Sequence, residues 1–121
     1  MNTDTIEISA LLEETERLVE AEQGAQQVIA VKTAKGNVYH FPNHCVGEPS
    51  EEDAFLEMLL EQGDAEIQYI LCMWHNYQLD VPSLHFRRQL VEICPRNKDA
   101  VVLLLGENVF HAKRVEQLMP R

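Results

Sequence analysis

The sequence predicts an α/β protein built on a mixed sheet, and three stretches predict it. "QVIAVKTAKGNVYHF" reads as an antiparallel hairpin: a β-branched run, an "AKGN" turn and a second run. "EIQYILCMW" and "AVVLLLG" are short, nearly continuous apolar runs, the pattern of strands buried on both faces. Helical patterns separate these strands, which implies right-handed crossovers and parallel later strands, with helices packed on the sheet.

The first helix is expected over residues 5–22, where Ile8, Leu11, Leu12, Leu18 and Val19 form one stripe at helical spacing. "EQGAQ" ends it, with Gly24 as the stop. After the hairpin, "PNHCVGEP" is a loop by composition. A second helix is expected to start near Ser50 as N-cap, with Asp53 three residues on, close to a capping box. Its apolar face is Ala54, Phe55, Met58 and Leu59, and Gly63 ends it. "QLDVP" leads from the central strand into a third helix over residues 83–94, striped by Phe86, Leu90, Ile93 and Cys94. "PRNKD" is a loop, and "VFHAKRVEQLMPR" holds a short strand near Val109 and a helical turn over Val115 to Leu118.

The length of 121 residues suits one domain, 1–121, and a chain of this size buries enough surface to fold without disulfides or metal. Three cysteines without paired spacing argue against a disulfide framework. Cys72 and Cys94 sit in apolar runs and read as core, whereas Cys45 falls in a loop. The net charge is −10, with 20 acids against 10 bases, a poor footprint for nucleic acid. Arg87 and Arg88 are the one local basic candidate. No apolar run approaches the ~18 residues of a membrane span. The start, "MNTDTIEISALLEE", has no basic leader pattern, and the expected compartment is the cytoplasm.

The chemistry-bearing stretch is "VPSLHFRRQLVEICP", a proline at a strand-to-helix junction followed by a helix. With the elements around it, it resembles the cytidine deaminase-like superfamily, most closely the small nucleoside and blasticidin-type deaminases. The resemblance runs over nearly the whole chain. "AKGNVYHFPN" is similar to the family's turn, strand and Gly-x-Asn, and a helix opening in acids follows it. "IQYILCMW" is similar to its central strand, "VPSLHFRRQ" to its "PCxxCRQ", and "VEQLMP" to its C-terminal "ELLP". The resemblance implies a three-layer sandwich that commonly assembles as a homodimer or homotetramer.

In that family one His or Cys and two Cys hold a zinc ion, and a glutamate outside the ligand set moves protons. The zinc lowers the pKa of its bound water so that hydroxide is available near neutral pH. Carried over residue by residue, Pro82 matches the proline, and Ser83 and Phe86 stand at the two cysteine positions. A phenyl ring cannot bind zinc, and a serine hydroxyl is a rare ligand. Arg87 matches the arginine after the second cysteine. The glutamate falls at Glu51 as a vestige, with Glu52 the one-residue alternative; two residues before them stand Pro49 and Ser50, neither a usual ligand. Asn43 matches an asparagine that contacts the sugar, and Cys45 stands near a position where nucleoside deaminases often carry a glutamate.

The expectation is therefore a catalytically degenerate member of the superfamily, without a zinc site or another cofactor. A pocket for a nucleoside-like small ligand would be lined by Asn43, Glu51, Ser83 and His85. Each has a plainer reading: an acid in a first helical turn is favoured by the dipole, and Asn43 can order a tight loop. Two alternatives stand beside it. One is a structural or regulatory subunit that binds another protein through an acidic face. The other is a hydrolase or deaminase with a rebuilt metal site at His44, Cys45 and His85, to which His40 is a further candidate. Trp74, His75 and Tyr77 follow the central strand, where open α/β sheets bind ligands, and could stack a base or pack on a helix.

Overall fold

The computed structural model describes residues 3–106 and 109–120. Helix α1 (Thr3–Ala21) leads into the hairpin β1 (Gln27–Thr33) and β2 (Val38–Asn43). Helix α2 (Ser50–Glu61) follows, then β3 (Ile67–Trp74), the two-residue β4 (Leu79–Asp80) and α3 (Leu84–Ile93). A 3-10 segment (Pro95–Asp99), β5 (Val101–Gly106), β6 (Val109–Arg114) and a 3-10 turn (Val115–Leu118) complete the order.

One sheet carries all the strands in the order β2-β1-β3-β5-β6, with β4 paired to β3. β1 is antiparallel to both β2 and β3, while β3 and β5 are parallel. β6 then returns antiparallel to β5. This is the expected mixed sheet with an N-terminal hairpin and a parallel β3–β5 pair; β6 departs from the expected parallel later strands because it follows β5 directly with no crossover helix, and the sheet adds β4, too short at two residues to stand out in "QLDVP".

The strand period of two divides the core into layers. Val28, Ala30, Leu71, Met73 and Leu103 point to α1, where they meet Leu11 and Val19. Ile29, Val31, Ile70, Cys72 and Val102 point the other way, to Phe55, Leu56 and Leu59 of α2 and Phe86 and Leu90 of α3. β3 lies between the helical layers with Ile70, Leu71 and Cys72 at zero exposure, so the reading of its apolar run holds. In α1, Thr15 fills the gap in the stripe between Leu11 and Val19, and its Oγ1 donates to the Leu11 carbonyl at 2.7 Å.

Two details of α2 correct the expectation. Pro49, not Ser50, occupies the N-cap position; no side chain caps the end, and Ser50 is exposed within the first turn. The buried stripe is Glu52, Phe55, Leu56 and Leu59, with Ala54 exposed. These positions are i, i+3, i+4 and i+7, the ordinary helical spacing. A glutamate opens the stripe, so a purely apolar count shifts the face by a fraction of a turn. Gly63, at φ 66°, ends α2 as expected, because the left-handed region costs glycine little.

Candidate functional site

Three consecutive acids open α2, and each has a different partner. Successive helical residues are about 100° apart, so neighbours in sequence cannot share a partner. Glu51 turns to the β2–α2 loop: its Oε1 accepts from the His44 backbone N–H at 2.9 Å, and its Oε2 lies 2.8 Å from His44 Nδ1. Burial pushes the Glu51 carboxyl up, but the bonds from the His44 ring and backbone and from the Cys45 backbone outweigh it, and the net shift is downward. Asp53 turns to α3, where its Oδ1 lies 2.7 Å from His85 Nε2.

Glu52 points inward and is 1% exposed. Ser83 Oγ lies 3.0 Å from its Oε1 and 2.8 Å from its Oε2. Ser83 is the N-cap of α3, and the same Oγ accepts the Phe86 backbone N–H at 3.1 Å. One hydroxyl thus satisfies a free N–H of the helix start and joins α3 to α2. Desolvation raises the Glu52 carboxyl above its ordinary value; the Ser83 hydrogen bond and the charge of His85 oppose the rise, and Asp53 adds to it.

Phe86 follows one turn on and is fully buried. Its ring centroid lies 6.1 Å from Phe41 and 6.4 Å from Phe55, and those two are 4.6 Å apart. Arg87 ties the start of α3 to the C-terminal 3-10 turn: its Nε donates to the Pro82 carbonyl at 2.9 Å, and its guanidinium also bonds the Leu118 carbonyl. This use of Arg87 removes it from the basic patch considered with the exposed Arg88.

Asn43 ends β2 and is fully buried. Its Nδ2 donates to Gln27 Oε1 at 3.3 Å, while its Oδ1 is buried without a hydrogen-bond partner. Cys45 is exposed in the loop beyond it. The structure ties His44 to Glu51 and His85 to Asp53, and among the described residues no group of three or more His, Cys, Asp or Glu side chains converges as a metal-donor set. Trp74 donates to Asp80 Oδ2 at 2.9 Å. Tyr77, at φ 68°, lines clefts on the α1 side with Glu16, Glu20 and Val19, on the opposite face of the sheet from α2 and α3. Tyr77 therefore stands apart from Ser83.

Sequence reading put the glutamate at Glu51 with Glu52 as the one-residue alternative, and the geometry brings Glu52 to Ser83. Glu52 could have been found from its place at the head of the i, i+3, i+4, i+7 stripe. A charged residue in a buried stripe needs a partner, and Ser83 is that partner.

No protein-family model matches the chain, and no curated protein sequence matches it. Solved structures do. The crystal structure of cytidine deaminase from Mycobacterium leprae superposes with a TM-score of 0.66, at 14% identity, over 93% of this chain and 97% of that one. Cytidine deaminase from Mycobacterium tuberculosis gives 0.62, at 16% identity, over 93% of each chain. A mixed sheet with α1 on one face and α2 and α3 on the other is thus an architecture shared with these cytidine deaminases. The chain has the cytidine deaminase-like fold.

The zinc that such a fold implies finds a poor donor set at the matched positions. Ser83 offers a hydroxyl already committed to Glu52 and to the Phe86 N–H, and Phe86 offers hydrocarbon. Ser50 is exposed at the surface of α2. Zinc sites are built from thiolate, imidazole and carboxylate, and only Glu52 here is of that kind.

Proposed function

We propose that this chain is a catalytically degenerate cytidine deaminase-like protein: it keeps the fold and has no zinc-dependent deaminase activity. The observation that carries the reading is the state of Ser83 and Phe86. At the positions where the resemblance calls for two thiolates, one side chain is spent on a hydrogen bond to Glu52 and the other is packed against Phe41 and Phe55. Deamination of a cytosine ring needs a hydroxide at neutral pH, which the family draws from zinc-bound water. Neither a serine hydroxyl at its ordinary acidity nor a phenyl ring supplies it. The test is the metal content of freshly purified, untagged protein, together with the absorbance change on incubation with cytidine and deoxycytidine. The expected result is zinc far below one per chain and no turnover. Near-stoichiometric zinc or measurable deamination overturns the proposal.

A second reading is favoured by one atom. The unpartnered Oδ1 of the fully buried Asn43 is an acceptor that a hydroxyl or amide N–H of a nucleoside-like ligand would satisfy once the loop that follows β2 opens. In that reading the protein binds a small ligand without converting it. His85 and Ser83 would assist only after leaving Asp53 and Glu52. Self-association as a homodimer or homotetramer belongs to the same proposal and is read by light scattering.

A further inference from the structure

We infer that the Ser83–Glu52 pair, sealed by Phe86, is a metal-independent keystone that locks α2 to α3 at the place where the fold's deaminases hold zinc. This inference rests on the metal-free reading proposed above and goes beyond it, since a lost metal site could equally have become inert surface or open cavity.

Three observations carry it. The first is continuity. The Phe86 N–H donates to Ser83 Oγ, and the Ser83 hydroxyl donates to the Glu52 carboxyl, so a hydrogen-bond chain runs from the backbone of α3 to a side chain of α2. The second is burial. Glu52 is 1% exposed and Phe86 0%, which removes water as an alternative partner and makes the bond between them and Ser83 costly to lose. The third is charge placement. The carboxyl sits at the N-terminus of α3, where the helix dipole presents about +0.5 of an elementary charge.

The keystone has an outer companion. His85 and Asp53 join the same two first turns at 2.7 Å, half-exposed to solvent. An exposed pair of this kind adds little, so the inner pair is expected to dominate. The competing explanation is that Ser83 only caps its own helix. In that case Glu52 is a bystander, and the two side chains act independently.

The experiment is a double-mutant cycle in full-length protein, read by urea unfolding. Glu52→Ala and Ser83→Ala are made singly and together, each with and without a zinc chelator. Glu52→Gln, which keeps a carbonyl acceptor for Ser83, is the control that should not lower the midpoint, and Ser83→Ala alone removes the bond if Glu52→Ala does not fold. The keystone predicts that each single change lowers the unfolding midpoint and that the double variant is no worse than the weaker single one. It also predicts that the Phe86 amide exchanges at least tenfold faster in the Glu52 variant, although its own cap is intact. Additive losses, or Phe86 exchange that ignores Glu52, overturn the keystone and leave the proposed function standing. A midpoint lowered by the chelator in the unmutated protein overturns the proposed function along with the keystone.

Discussion

Ser83 Oγ lies 2.8 Å from Oε2 of Glu52, a contact between residues 31 positions apart that brings the N-cap of α3 onto the buried face of α2. Its consequences extend to pH. A carboxyl hydrogen-bonded chiefly by one hydroxyl and removed from water holds its proton more firmly than a free one, which is the direction found for Glu52.

That direction fixes a linkage. Glu52 has a folded-state pKa above its ordinary 4.5, so the folded chain binds the proton more readily than the unfolded chain. Its favourable contribution is complete below the unfolded value and is lost as pH rises through the folded one. Glu52→Gln cannot titrate and should flatten this part of the profile, raising stability at neutral pH relative to the parent. Urea unfolding at a series of pH values from 4 to 8 measures it. A parent and variant with parallel profiles would mean that Glu52 is ionised in the fold at no cost.

Phe86 carries the packing side of the same site. Its ring is fully buried beside Phe41 and Phe55. Phe86→Ala should cost about 3 to 5 kcal/mol, the range for emptying a buried aromatic position. Phe86→Leu, which keeps most of the hydrocarbon, should cost much less. Chemical denaturation with an unchanged m-value is the measurement. A loss below about 1 kcal/mol for Phe86→Ala would show that the aromatic cluster collapses to fill the gap.

The parts of this fold that announce themselves in sequence are those that follow from periodicity. The buried run of β3, the turn at Gly36 and the Phe86–Leu90 stripe of α3 depend on local pattern and appear where the pattern puts them, whereas β5 is buried only at Val102 and Leu103 and exposes Leu105, and Cys94 falls just past the end of α3. The site follows a different logic. Whether Glu51, Glu52 or Asp53 faces Ser83 depends on the rotation of α2, which is set by how Phe55, Leu56 and Leu59 seat on the sheet. One residue is 100° of helix, and a glutamate at the head of the stripe disguises the phase. His44 and His85 raise the same difficulty. They look alike as candidate ligands in sequence, yet each is drawn to a different acid of one helical turn, a long-range pairing that no local spacing encodes.

Asn43 separates ligand binding from structure. Its side chain makes one long hydrogen bond to Gln27 and leaves Oδ1 unbonded, while its backbone carbonyl accepts from the Gln26 N–H and would still do so in Asn43→Ala. Its unfolding free energy should change by less than about 1.5 kcal/mol, the upper end for one hydrogen bond. If the chain binds a nucleoside-like ligand, the same substitution should weaken that binding about tenfold, measured by titration calorimetry against a panel of nucleosides. Equal affinity of parent and variant across the panel, or no binding to the parent, would remove Asn43 from a ligand role.

The correspondence of Ser50, Ser83 and Phe86 with metal-ligand positions can be tested by running it backwards. The triple variant Ser50→Cys, Ser83→Cys, Phe86→Cys places a thiol at each position. Without metal it should be less stable than the parent, because Phe86→Cys empties part of the aromatic cluster and Ser83→Cys weakens the cap. Zinc should then bind at about one per chain and recover part of the loss, since metal bound only by the folded state adds its binding energy to folding. Cobalt titration, followed by the thiolate charge-transfer band, reports whether the sulfurs share one ion. Binding with sulfur coordination supports the positions assigned here. A variant that folds and binds neither metal would show that these three residues do not meet, and the assignment of a former zinc site to Ser83 and Phe86 would fall with it.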